Sequence, residues 1–215
     1  MALGLRLGLT RSQARALARL GTPERIQDFV TALPTNFEPD GDTCWSVAEV
    51  LKRGRAHCIE GALVAACALW LGGDPPLLMD LRADGDDDHV VALFRRGRSW
   101  GAISKSNHVW LRWRDPVYRS LRELAMSYFH EYVFVASKTL RTYSRPFDLR
   151  RLDPRLWVAN ANGCWEVDGA LDRVRHYALV TPAQAKRLRR RDAMEVRAGR
   201  MIEHAAPDDK TARRY

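Results

Sequence analysis

The feature that most constrains this chain is the stretch 57–71, which is small and apolar on every side. It runs through Ile59, Gly61, a series of alanines, Cys67 and Trp70, and Gly72-Gly73 closes it. A helix that is apolar all round has no face to offer water, so it belongs in the middle of a domain. It is too short for the ~20 residues of a membrane span, and Glu60 interrupts it. Whatever else this chain folds into must therefore wrap this one helix.

The flanks carry the elements to do so. Thr10 with Gln13 forms a capping box, and Leu17 and Leu20 share a face before Gly21. Thr22-Pro23-Glu24 opens a second helix with a cap, a first-turn proline and an acid at the positive end of the dipole. Its apolar stripe is Ile26, Phe29, Val30 and Leu33. Residues 35–43 read as loop, and Ser46 with Glu49 opens a short helix that stops at Gly54. After the central helix, 77–81, 89–94 and 99–103 read as strands, the last two joined in a hairpin across Arg96-Gly97-Arg98. Asp115-Pro116 predicts the start of a long amphipathic helix with Val117, Leu121, Leu124, Ala125 and Tyr128 on one face. The region 137–165 reads as irregular, with strand near 139–143 and a short helix after Asp153-Pro154. Residues 171–177 read as helix, and Thr181-Pro182 with Gln184 starts a last, charged helix expected at the surface. The expected fold is α+β: a central buried helix packed on a small antiparallel sheet, with flanking helices. One domain spans 1–180, with its core at 45–135, and a basic, partly disordered helix and tail follow at 181–215.

Charge narrows the function classes. The 215 residues hold 35 Lys+Arg against 26 Asp+Glu, a net charge of +9. Residues 186–215 alone hold ten basic and five acidic side chains, so the body is only mildly basic. That pattern argues against a dedicated nucleic-acid groove and leaves weak contact with nucleic acid or an anionic partner through the tail. Lys105, Arg112, Arg114, Arg119 and Arg122 with Trp110 and Trp113 form a basic-aromatic pattern that could stack bases, or could be a strand followed by a helix exterior. Residues 1–9 are too short and too interrupted by Arg6 for a signal peptide. Cys44, Cys58, Cys67 and Cys164 show no paired spacing, which predicts free thiols in a cytoplasmic protein without structural zinc. The acidic loop 84–88 starts like a calcium loop but lacks the continuation and closing Glu, so it reads as a solvated turn and no metal or other cofactor is expected.

Two reactive side chains stand at strategic ends. Cys58 begins the buried helix, where the dipole favours thiolate and the first-turn amides can receive an oxyanion. His89 begins a strand after the acidic loop. A histidine beside the cysteine could take its proton and return it to a leaving group. A polar residue on the next strand could orient the imidazole. The alternative for Cys58 is a small buried residue, as for Cys67. His57 reads as a surface or capping histidine on another helical face, and Glu60 as an ordinary first-turn acid.

This arrangement resembles the transglutaminase-like superfamily of papain-like thiol enzymes, in an uncharacterised bacterial branch. Arg55-Ala56-His57-Cys58-Ile59-Glu60-Gly61-Ala62 and Leu69-Trp70-Leu71-Gly72-Gly73 are similar to the family's nucleophile helix. His89-Val90-Val91 resembles its His-Ala-Trp strand, and Trp100-Gly101-Ala102-Ile103-Ser104 its Trp-x-x-x-Asp strand. The likeness covers about residues 45–105, with Ser104-Lys105-Ser106-Asn107-His108 shared by the bacterial branch. Ala56 replaces the family glycine, Val91 its tryptophan, and Ser104 its aspartate. The resemblance implies a Cys-His enzyme acting on an amide or ester of unidentified, possibly protein, substrate by hydrolysis or acyl transfer. Cys58 would be the nucleophile, His89 the base, and Ser104 or Asn107 the orienting residue. The competing expectation, from the missing aspartate, is a non-catalytic module binding an acidic partner or nucleic acid through its basic surface.

Overall fold

A computed structural model describes residues 2–205. Five helices come first: α1 (Ala2–Arg6), α2 (Arg11–Ala18), α3 (Pro23–Ala32), α4 (Val47–Arg53) and α5 (Cys58–Leu71). Then follow β1 (Leu77–Ala83), β2 (His89–Arg96), β3 (Ser99–Ile103), β4 (Arg114–Tyr118) and α6 (Leu121–Met126). The rest comprises β5 (Val133–Phe134), β6 (Ser137–Lys138), β7 (Leu140–Ser144), β8 (Phe147–Asp148), α7 (Arg155–Val158), α8 (Trp165–Arg173), β9 (His176–Ala178), α9 (Pro182–Ala185) and α10 (Ala193–Gly199). The protein is α+β.

The helix starts follow their caps. Thr10, Thr22, Ser46 and Thr181 each accept the backbone N–H three residues on, and Gly54 ends α4 at φ +68°. The strands run in the order β4-β3-β2-β1-β7-β9, with β8 beside β1 and every named pair antiparallel. The sheet is covered on both faces. Leu78, Val90, Ala92, Phe94 and Ile103 face the layer of α5, α2, α3 and α4. The alternate residues Met79, Leu81, Val91, Leu93 and Ala102 face α6 and the segment carrying Tyr128, Phe129 and Tyr132. Burial on both faces explains why 90–94 is an unbroken apolar run rather than an alternating one. The central helix lies chiefly against β2, with Ala62, Leu63, Ala65 and Ala66 fully buried. Its small residues permit close approach: a Cβ at Gly61 would fall 2.3 Å from the Cβ of Lys105.

Two expected helices are corrected. Residues 114–118 form strand β4, and the helix begins only after Ser120, whose hydroxyl accepts the Glu123 N–H. Pro116 is accommodated because β4 is the outer strand of the sheet, where a missing N–H costs no ladder bond. The helix expected over 171–177 lies earlier, at α8, and 176–178 pair with β7 as β9. The segment after α10 is not a free surface tail as far as residue 204. Ile202 bridges to His108, Asn107 holds His204 through both amide atoms, and Glu203 pairs with Arg112. The remainder of the expected disordered tail lies outside the described residues. Among the described residues no helix is long and apolar enough to cross a membrane.

Candidate active site

The entry to α5 is pinned before the helix begins. Ala56 forms a bridge to Thr35, donating to Pro34 O and accepting from Asn36 N. His57 then stands at the N-cap with extended backbone (φ −101°, ψ −168°), and Cys58 is the first helical residue. Cys58 is half-buried and lines two cavities, of about 220 Å³ and about 180 Å³. Sγ lies 3.9 Å from His57 Nδ1 and 4.0 Å from the Asp88 carbonyl oxygen.

His89 follows Asp88 and opens on the larger cavity alongside Cys58. The imidazole is buried, at 5% exposure. Its Nε2 lies 2.6 Å from Ser104 Oγ and 3.3 Å from the Leu111 carbonyl. The Leu111 carbonyl can only accept and the Ser104 hydroxyl can accept or donate, so hydrogen on Nε2 satisfies both contacts and leaves Nδ1 free to act as the base. Ser104 is itself clamped. Its N–H donates to Gln27 Oε1 and its carbonyl accepts from Gln27 Nε2, both at 2.9 Å. The ring edge of Tyr132 packs at 6.4 Å between centroids, and its hydroxyl donates to the Asp87 carbonyl.

Asn107 lines the same cavity, but its amide is bound to His204. Of the two expected orienting residues, the structure brings Ser104 to the imidazole and not Asn107.

His57 is the N-cap residue of α5 and Glu60 its first-turn acid, as expected, but their side chains do more than cap the helix. Glu60 is fully buried and accepts from Thr43 Oγ1 at 2.8 Å, the N–H groups of Trp45 and His57 at 3.0 Å, and Asn36 Nδ2. Burial pushes this carboxyl up, yet the His57 ring and these amides outweigh it and hold it below its ordinary range. His57 Nε2 lies 2.9 Å from the Thr43 carbonyl and 3.3 Å from Glu60 Oε1. Burial alone would lower this imidazole, but hydrogen bonds to Cys58 and Glu60 raise it to about 11. For Cys58, burial pushes the thiol up, and the two imidazoles, His57 first and then His89, bring it down to about 6. By contrast, buried Cys67 has no such neighbours, and burial pushes it up to about 12.

The acidic loop forms part of the cavity wall through Asp86, Asp87 and Asp88. Its carboxylates are tied locally: Asp86 accepts from Thr139 Oγ1 and Asp88 from Ala83 N. Among the described residues no three His, Cys, Asp or Glu side chains are grouped to hold a metal ion.

The basic-aromatic pattern is dispersed rather than presented as one surface. Lys105 is buried beneath the end of α3, donating to the carbonyls of Leu33 and Thr31. Arg114 lies over Tyr128, and Arg122 donates to the Leu179 carbonyl. Trp110 is the exposed member, at 55%.

No protein-family model matches this chain, and no curated protein matches it.

Proposed function

We propose that this chain is a thiol-dependent hydrolase or acyltransferase with a transglutaminase-like, papain-like core, acting on an amide or ester. One observation carries the reading: Cys58 at a helix start and His89, anchored through Nε2 on Ser104, open on the same cavity. A merely structural cysteine has no need of a buried imidazole so held beside a shared cavity.

The chemistry follows from the geometry. The Cys58 proton passes to His89 Nδ1, and the thiolate attacks the substrate carbonyl carbon. The carbonyl π pair moves to oxygen, where the first-turn amides of α5 and the helix dipole stabilise it. The oxyanion collapses, the C–N or C–O bond breaks, and His89 gives its proton to the departing amine or alcohol. A thioester on Cys58 remains. Water or an amine, deprotonated by His89, attacks it and expels the thiolate. Cys58 lines both cavities, which offers room for the acyl and leaving parts of a substrate.

The test uses p-nitrophenyl acetate as an activated ester. The expected result is a burst of p-nitrophenolate equal to the enzyme present, with one acetyl group mapped to Cys58 by peptide mass spectrometry and none in Cys58→Ala. Release that is unchanged in Cys58→Ala, or an acetyl group on other residues only, would overturn the proposal.

A further inference from the structure

His57 meets the sulfur of Cys58 and His89 lines the same cavity, and what backs each of the two imidazoles differs. His89 is backed by a hydroxyl and a carbonyl, Ser104 Oγ and Leu111 O. Neither holds a negative charge against an imidazolium as a carboxylate does. His57 is backed by acceptors only: the Thr43 carbonyl at 2.9 Å, Glu60 Oε1 at 3.3 Å and Glu38 Oε1 at 3.5 Å. Its Nε2 must therefore carry hydrogen. Its other nitrogen faces Cys58 Sγ at 3.9 Å, where a thiol would donate to Nδ1 and a thiolate would accept from it; the carboxylate behind Nε2 favours the second arrangement, with hydrogen on Nδ1 as well. A ring protonated on both nitrogens is an imidazolium.

We propose that His57, held by Glu60, is a fixed imidazolium partner of the Cys58 thiolate, and that His89 alone carries the mobile proton. The inference rests on the thiol-enzyme reading and extends it to a residue and a carboxylate outside the expected Cys58-His89-Ser104 set. His57 touches the reacting sulfur and is a catalytic residue; Glu60 acts through it and is a positioning residue. The geometry explains how a site with serine beside its base forms a thiolate: the carboxylate acts from the sulfur side of the dyad. Glu60 suits that task because it is fully buried and already satisfied by the Thr43, Trp45 and Asn36 donors, which keep it ionised. Glu60 and Cys58 negative set against His57 and His89 positive pair each imidazolium with an anion, and Glu38 adds a further carboxylate 3.5 Å from His57 Nε2. The charged or titratable groups near His57 are Cys58, Glu60 and Glu38, with His89 beyond the sulfur and Cys44 and Asp168 within electrostatic reach.

The test needs no substrate. The rate of Cys58 alkylation by iodoacetamide is measured against pH in the native chain, His57→Gln, Glu60→Gln and Glu60→Asp. The expected midpoint is about 6 in the native chain. In His57→Gln it rises by at least ~1 pH unit, a tenfold change in the dissociation constant, towards the ordinary thiol value of ~8.5. Glu60→Gln moves it in the same direction, and Glu60→Asp restores most of the native value. Nitrogen NMR of the His57 ring in the unmutated protein, which does not depend on any variant folding, is expected to show both nitrogens protonated at pH 8. A His57 ring that titrates near ~6.5, or a midpoint unmoved in His57→Gln, would overturn the proposal. The absence of an acyl-enzyme with these midpoints intact would instead sink the hydrolase reading, so the two failures are distinguishable.

Discussion

Replacing Gly61 by alanine tests how closely the site depends on the contact between α5 and the segment after β3. The added Cβ would lie 2.3 Å from Lys105 Cβ and 3.1 Å from its Cγ. Carbon atoms rest at about 3.5–4.0 Å, so the helix and the 104–105 backbone must part by roughly 1 Å. The nearest atom is a Cβ fixed to backbone, not the loose end of a side chain, so little can give locally. Alanine gains about 1 kcal/mol over glycine in a helix interior. Overpacking of this kind costs about 1–3 kcal/mol, and a Cβ-to-Cβ clash takes the upper end. The expected net loss is about 2 kcal/mol, or about 4–8 °C in Tm for a chain of this size. The neighbour of Lys105 is Ser104, whose 2.6 Å contact with His89 breaks on a shift of that size. Urea or thermal unfolding, with Cys58 alkylation at neutral pH measured alongside, reads both effects. A Gly61→Ala protein as stable as the native one or more so, as helix propensity alone would give, refutes the reasoning.

Two further outcomes follow from the same contacts. Ser104→Ala removes the Oγ partner of His89 and leaves only the longer Leu111 contact; turnover of an activated ester should fall about tenfold to a hundredfold, while unfolding shows a loss of about 1 kcal/mol. The Glu60 carboxyl sits below its ordinary value in the fold, so the stability it contributes is present above its unfolded value of ~4.3 and is lost as pH falls through the lower folded one; urea titrations should show a steeper loss below pH ~4 in the native chain than in Glu60→Gln, and equal slopes would contradict the burial of a charged Glu60.

Much of this architecture is readable in the chain because its signals are local. The capping pairs at Thr10-Gln13, Ser46-Glu49 and Thr181-Gln184 satisfy their own helix starts whatever surrounds them. The all-round apolar helix can only be central, and the Arg96-Gly97-Arg98 turn brings β3 onto β2 with Ile103 opposite Ala92. Ser104 follows directly, so its place near His89 is a matter of register. What was not readable depends on tertiary position. Asp115-Pro116 has the form of a helix start, but the same proline is equally at home on an outer strand, and only the sheet order decides. Helical spacing puts His57 on another face from Cys58, but an N-cap residue has extended backbone and that spacing does not apply to it. Glu60 fits the rule for first-turn acids, and the rule is silent on a carboxylate enclosed by Thr43, Trp45 and Asn36 from a preceding loop. The pattern His-Cys-x-Glu, with imidazole and carboxylate three residues apart around a helix-start cysteine, is the signal that could have found them.

The central claim is that Cys58 and His89 form one reactive pair, and the pH dependence of Cys58 alkylation in the native protein and in His89→Ala tests it most directly. Cys58 is expected to react at neutral pH well ahead of Cys44, Cys67 and Cys164, the three buried thiols, with a midpoint near 6. In His89→Ala the midpoint is expected to move upward. A Cys58 that reacts no faster than an ordinary thiol of pKa ~8.5, or one whose profile is the same with and without His89, would contradict it.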